Sequence, residues 1–172
     1  MISKKISLGA ILCALSVAIL LIGSFMETVT FSCAAISAIC VSVAVIELGF
    51  GYSFIIYAAS TVLSFLLLPV KDPVLYFACF FGYYPMLKTL CEKLRRALEY
   101  ALKGVCFSFS YALISFIGIK LLVSQTNLIK YVLLFFPVAL AVFFAYDYAL
   151  SKLVLYYKQT LRKRIGVDKF LR

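Results

Sequence analysis

Apolar residues fall along this chain in six long blocks, at about 6–26, 28–48, 52–70, 74–90, 104–123 and 128–150, separated by short polar or turn-forming stretches. Each block is long enough, at about 1.5 Å of rise per helical residue, to cross about 30 Å of hydrocarbon. The punctuation agrees with these limits: Met26-Glu27, Gly49-Phe50-Gly51, the PVKDP run and the SQTN run are turn-like or polar. Because most connections are very short, neighbouring helices are expected to run antiparallel and side by side. The pattern therefore predicts an all-α integral membrane protein, a compact bundle of six transmembrane helices in a single domain over 1–172, with a basic tail at 151–172.

One connection is longer. The run KTLCEKLRRALEYALK, 88–103, places Leu90, Leu94, Leu98 and Ala101 at helical spacing opposite Lys93, Arg95, Arg96 and Glu99. Glu92 with Arg96 and Glu99 with Lys103 are favourable pairs four residues apart. This reads as an amphipathic helix at the membrane surface, a helical extension of the fourth span, or an ordinary hairpin connection.

Charge sets the orientation, because Lys and Arg collect on the cytoplasmic side of a membrane. With the N-terminus inside, fourteen of the seventeen basic residues lie on that side: Lys4, Lys5, Lys88, Lys93, Arg95, Arg96, Lys103 and seven in the tail. Only Lys71, Lys120 and Lys130 fall outside, so both termini are expected to be cytoplasmic in a multi-pass protein of the cell membrane. The net charge of +10 then follows from topology and attraction to anionic lipid, without a nucleic-acid partner. Hydrophobic residues make up 65% of the chain and charged ones only 14%, far from soluble averages. The start resembles a secretory signal, but no small-x-small cleavage site leads into a soluble domain, so a retained first span is expected. Six cysteines without a C-x-x-C pair, and no histidine, give no support for zinc or thiol redox chemistry. They read as small apolar residues. No GxxxxGK[ST] loop is present, so any ATP-driven role needs another subunit, and no recognisable catalytic set points to an enzyme.

Three groups of residues carry candidate function. Ala10, Ala14 and Ala18 are four apart on the first span and form a shallow furrow with Gly9 and Cys13 beside it, where another helix can approach closely. Ala34, Ala38 and Ser42 form a similar set on the second span, read as internal packing. Glu47, Lys88 and Asp147 fall at a similar depth near the inner ends of spans two, four and six, as a structural ion cluster, snorkelling side chains or a switch. On span five Gly104, Ser108, Tyr111, Ser115 and Gly118 share one face. Near the outer ends lie Glu27, Thr28, Thr30, Lys71, Asp72, Tyr76, Lys120, Gln125, Asn127, Lys130 and Tyr131. From these, Tyr76, Tyr111, Ser115, Lys120 and Lys130 are the candidate substrate-binding residues, since small-ligand sites combine apolar walls with a few placed polar groups. Tyr and Lys at helix ends also serve as interfacial anchors. In FFGYYPMLK, Pro85 removes a helical hydrogen bond and predicts a kink near Phe81; Pro137 predicts a bend in span six.

Six spans, both ends inside, a basic start (KKISLGAILCAL) and the Ala10, Ala14, Ala18 face together resemble the substrate-binding S components of energy-coupling-factor vitamin transporters. The resemblance covers the whole chain as an architecture. It implies that the small-residue face docks on a transmembrane coupling subunit joined to ATPase subunits, and that the chain captures a vitamin-like micronutrient from outside without a cofactor of its own. The chain departs from that pattern in having almost no loop between spans one and two, where many S components carry a covering segment. The alternative of another class is a non-transporting scaffold subunit of a cell-envelope complex, similar to the small rod-shape membrane subunits.

Overall fold

In the computed structural model the described residues are 2–92, 96–122 and 128–161, with the side chains of 2, 27, 96, 97, 117–122, 128–133 and 161 outside that description. Lys93, Arg95, the SQTN connection and the tail beyond 161 also lie outside it. Helix α1 (Ile2–Phe25) passes through a 3₁₀ turn at Glu27–Val29 into α2 (Thr30–Glu47), followed by α3 (Phe50–Leu67). Next come α4 (Asp72–Tyr76), a π-helical turn at Phe77–Phe81 and α5 (Tyr84–Cys91). The long helices α6 (Arg96–Leu122) and α7 (Leu128–Tyr156) complete the bundle, α7 ending in a π-helical turn at Tyr157–Leu161. No strand occurs among the described residues. Five segments are long and apolar enough to cross a membrane: Ser3–Phe25, Thr30–Glu47, Phe50–Leu67, Asp72–Cys91 and Leu134–Thr160. The block expected at 104–123 falls almost wholly within α6, whose side chains from 117 onward lie outside the description.

Local chemistry sets the turns. Gly49 joins α2 to α3 at φ 87° and ψ 175°, a conformation that a Cβ would make strained. At the opposite end of α3, the Lys71 ammonium donates to the carbonyls of Phe65 and Leu68 at 2.6 Å each, satisfying oxygens that the helix leaves open. Ser24 at the end of α1 holds the same loop, donating to the Val70 carbonyl at 3.1 Å and accepting from the Val70 N–H at 3.0 Å.

Helix α1 packs most extensively on α2 and then on α3. Lipid tails are as apolar as leucine, so helices associate in a membrane through close approach and hydrogen bonds rather than through expulsion of water. The contact surfaces fit that demand. Ser16 and Ser37, both fully buried, face each other at 2.5 Å between their hydroxyls, and Ser37 also donates to the Ser16 carbonyl at 3.3 Å. Ser60 of α3 donates to the Cys13 thiol at 3.3 Å. Ala34, Ala38 and Ser42 are buried in α2, in keeping with their reading as internal packing. Cys13, Cys33, Cys40 and Cys91 are buried free thiols. The C-terminal half is built differently: Phe80, Tyr84, Phe107, Phe143 and Leu150 form an aromatic core among α5, α6, α7 and the first π-helical turn.

The run 88–103 fits the connection between two helices that its sequence also allowed. It is neither a separate surface helix nor an extension of the fourth span: α5 stops at Cys91, and 96–103 form the first turns of α6 and continue without a break. Leu98, on the apolar side of the run, is exposed, whereas Lys103 is buried. The physical reason is that Lys103 turns inward to acidic partners on α6 and α7.

Small residues at the α1–α2 contact make a direct prediction. A Cβ on Gly23 would meet the Cys33 Cβ at 2.7 Å, whereas a Cβ on Gly51 would meet nothing within 4 Å. Gly23→Ala is expected to cost about 1–3 kcal/mol through overpacking. Gly51→Ala is expected to be neutral or stabilising by up to about 1 kcal/mol, through helix propensity and reduced freedom of the unfolded chain. Thermal unfolding in detergent, followed by a dye that reacts with the exposed cysteines, checks both; equal midpoints for the two variants would show that α1 and α2 do not pack in this register.

Candidate ligand cavity and buried ion network

The cavity begins with a proline. Pro85 has no N–H, and the helical ladder ahead of it opens into the π-helical turn, with the Gly82 N–H reaching the Phe77 carbonyl at 2.7 Å. The Tyr57 hydroxyl donates to the Ala78 carbonyl at 2.7 Å, and its ring lies where a Gly82 Cβ would sit. The sequence predicts a kink near Phe81, and the π-helical turn ends at that residue. Consecutive residues Phe80 and Phe81 both face the space that results. Helix α7 continues through Pro137.

That space is a cavity of about 470 Å³ bounded by α2, α4 with its π-helical turn, α6 and α7. The volume falls within the range of about 300–1,000 Å³ usual for small-molecule sites. Phe31, Ser32 and Ala35 of α2 form one side, and Phe107, Tyr111, Ile114 and Ser115 of α6 face Ala139, Val142, Phe143 and Tyr146 of α7 on the other. Phe31, Ser32 and Val142 are exposed, so the cavity reaches the surface of the bundle there. Tyr76 stacks on Phe31 with ring centroids 4.0 Å apart. Ser110 is already engaged, paired with the Tyr83 hydroxyl and donating to the Cys106 carbonyl at 2.8 Å.

Of the five expected substrate-binding residues, the structure brings Tyr76, Tyr111 and Ser115 together around this cavity. The side chains of Lys120 and Lys130 lie outside the described residues. Within the wider polar sets, Lys71 caps α3, Thr30 donates to the Gly23 carbonyl at 3.3 Å, and Ser108 donates to its own helix at Gly104, 2.9 Å away. The stripe on span five therefore divides: Tyr111 and Ser115 face the cavity and Ser108 bonds backbone. Sequence reasoning missed Phe31, Ser32, Phe107 and Phe143. Their only sequence signal was the helical phase that Phe107 shares with Tyr111 and Ser115, which lipid-facing phenylalanines also show.

Below the cavity lies a buried ion network. Asp147 of α7 pairs with Lys88 of α5 through one carboxylate oxygen and with Lys103 of α6 through the other, the latter at 3.0 Å. Lys88 also donates to the Asp147 carbonyl at 2.7 Å and to Ser151 at 2.6 Å. Lys103 donates to Glu99 at 2.7 Å, the i, i+4 pair read from the sequence. The Tyr84 hydroxyl donates to Asp147 at 2.5 Å. Two cations meet two anions, so the charges balance where isolated ions would cost several kcal/mol each. Lys88 and Asp147 thus meet as grouped from the sequence, and the structure adds Lys103, Glu99 and Tyr84. Glu47, grouped with them, accepts from Tyr157 at 3.3 Å.

The two features touch. The Tyr84 ring lies 5.2 Å from Phe80, 5.4 Å from Phe143 and 5.8 Å from Tyr146, centroid to centroid, and those three rings line the cavity. Its hydroxyl faces the other way, into the ion network. On the outside of the bundle, Ala10, Ala14 and Ala18 are all exposed. Gly9 and Cys13 beside them turn inward, Gly9 against Ile56 and Leu48, so the furrow has a packed floor and an open face.

Removing only one member of the network leaves buried charge unmatched. Asp147→Leu is expected to destabilise the protein by about 3–5 kcal/mol. Adding Lys88→Met should recover a large part of that loss, because Lys103 keeps Glu99 and the second buried cation is gone. Thermal unfolding of the single and double variants tests this; a double variant no more stable than Asp147→Leu alone would mean that the pair holds the helices by shape rather than charge balance. No protein-family model, curated protein or solved structure matches this chain.

Proposed function

We propose that this chain is a multi-pass protein of the cell membrane with six spans and both termini cytoplasmic, and that it acts as the substrate-binding subunit of an energy-coupling-factor transporter. It captures a small, vitamin-like molecule in the cavity bounded by α2, α4, α6 and α7. A transmembrane coupling subunit docks on α1, and separate ATPase subunits supply the energy. The chain is not an enzyme and carries no cofactor in this reading. The division of basic residues supports the orientation: Lys4, Lys5, Lys88 and Lys103 lie toward one end of the bundle, whereas Lys71 lies at the other. In that orientation the cavity lies in the outer half and the ion network toward the cytoplasm.

The observation that carries the proposal is the pairing of a roomy, partly polar cavity inside the bundle with an open face of small residues on its outside. The first suits capture of a ligand, and the second suits close approach of a partner helix. The single 3₁₀ turn between α1 and α2 gives no covering segment over the cavity and favours the alternative, a scaffold subunit without transport.

Two measurements test this reading. Cysteine placed at Asp72 is expected to be labelled from outside intact cells; labelling only after permeabilisation would reverse the topology. Ala14→Leu adds three heavy atoms where two backbones would meet and is expected to weaken capture of coupling subunits by about 1–3 kcal/mol, while the isolated protein folds normally. Equal recovery of partners with wild type and variant would show that this furrow is not the docking face.

A further inference from the structure

The cavity has a chemical character that narrows what it can hold. Eight of its described lining residues are aromatic. Two pairs among them are stacked nearly parallel, and they belong to different walls. Phe31 of α2 lies on Tyr76 of α4 at 4.0 Å and 20°, and Phe107 of α6 lies on Phe143 of α7 at 4.7 Å and 18°. Between these walls, Phe80 and Phe81 meet each other edge to face at 70°, and Phe80 meets Phe143 edge to face at 69°. A site of this kind offers ring faces and ring edges to its occupant, and the partner that uses both is another flat ring, which can stack on one and receive the edge of the other. A flexible alkyl chain gains little from ring orientation. Here Tyr76 and Ser115, each carrying a hydroxyl, line the same space from α4 and α6.

From this arrangement we propose that the cavity selects a planar aromatic ring bearing a hydrogen-bonding substituent, held by the aromatic walls and oriented by Tyr76 and Ser115. This rests on the reading of the cavity as a ligand site and names the class of ligand. It does not depend on the coupling partners.

The test uses the full chain in lipid nanodiscs, with empty nanodiscs as background, and four probes: 2-naphthol, its saturated counterpart decahydro-2-naphthol, naphthalene and 1-dodecanol. Calorimetry is expected to show one saturable site for 2-naphthol, at least tenfold tighter than for decahydro-2-naphthol, which has the same carbon skeleton and hydroxyl without a flat ring. Phe143→Leu is expected to reduce that preference to less than threefold while leaving the saturated probe within about twofold. Ser115→Ala should weaken 2-naphthol and leave naphthalene unchanged. Should Phe143→Leu fail to fold, Phe31→Leu at the exposed rim provides the same comparison. Equal affinity for the flat and saturated probes, tighter binding of 1-dodecanol, or no saturable binding of any probe would overturn the proposal. Ring preference without capture of coupling subunits would count against the transporter reading alone, and capture of those subunits without ring preference would count against this assignment alone.

Discussion

A single carboxylate holds the second half of this protein together. Asp147 draws Lys88 from α5 and Lys103 from α6 onto α7, three elements that are otherwise joined mainly by aromatic contacts. In an apolar setting the pairing is close to obligatory, since two cations and two anions without partners would each carry a desolvation cost of several kcal/mol. The constraint reaches further than the charges. It fixes the beginning of α6 against the bundle, so that 96–103 become part of a long helix rather than a surface segment, and it sets the depth at which α7 passes Tyr84.

The two halves of the bundle meet the problem of association without water in different ways. In α1, α2 and α3 Gly, Ala, Ser and Cys sit among Leu, Ile and Val at the contacts, letting backbones approach and satisfying hydroxyls across the interface, as Ser16 does with Ser37. In the C-terminal half the contacts are made by rings. Rings stack in pairs and meet edge to face, but four helices carrying them cannot approach as closely as helices faced with alanine, and space remains where the rings do not tile. The cavity is the consequence of that choice of side chains. The π-helical turn beside it contributes as well, since an extra residue in the helix turns both Phe80 and Phe81 toward the same space.

Tyr84 connects these two consequences. Its ring packs under rings that line the cavity and its hydroxyl donates to the Asp147 carboxylate, so one side chain touches both features.

How much of this was legible in the sequence depends on the range of the interaction concerned. The presence of long apolar helices, the Gly49 turn and the kink ahead of Pro85 follow from residues within a few positions of one another, whereas α6 begins at Arg96 and α7 ends at Tyr156, beyond the apolar blocks that mark them. The exposed Ala10, Ala14 and Ala18 face and the buried Ala34, Ala38 and Ser42 face look alike in sequence. Only packing decides which of two small-residue faces is covered, because the pattern records the size of a side chain and not its neighbour. Lys88 and Asp147 were legible as neighbours by depth, yet Lys103 was read as part of a charged connection, and its inward turn depends on Asp147 more than forty residues away. Likewise Tyr111 and Ser115 announced a polar face, but the aromatic walls that enclose it come from four separate elements. The sequence by itself determined that the chain forms long apolar helices, turns at Gly49 and kinks ahead of Pro85, since those are local matters of hydropathy and backbone geometry. Which faces meet, which charges pair and where a space is left open were decided by tertiary structure, because each depends on side chains brought together from distant parts of the chain.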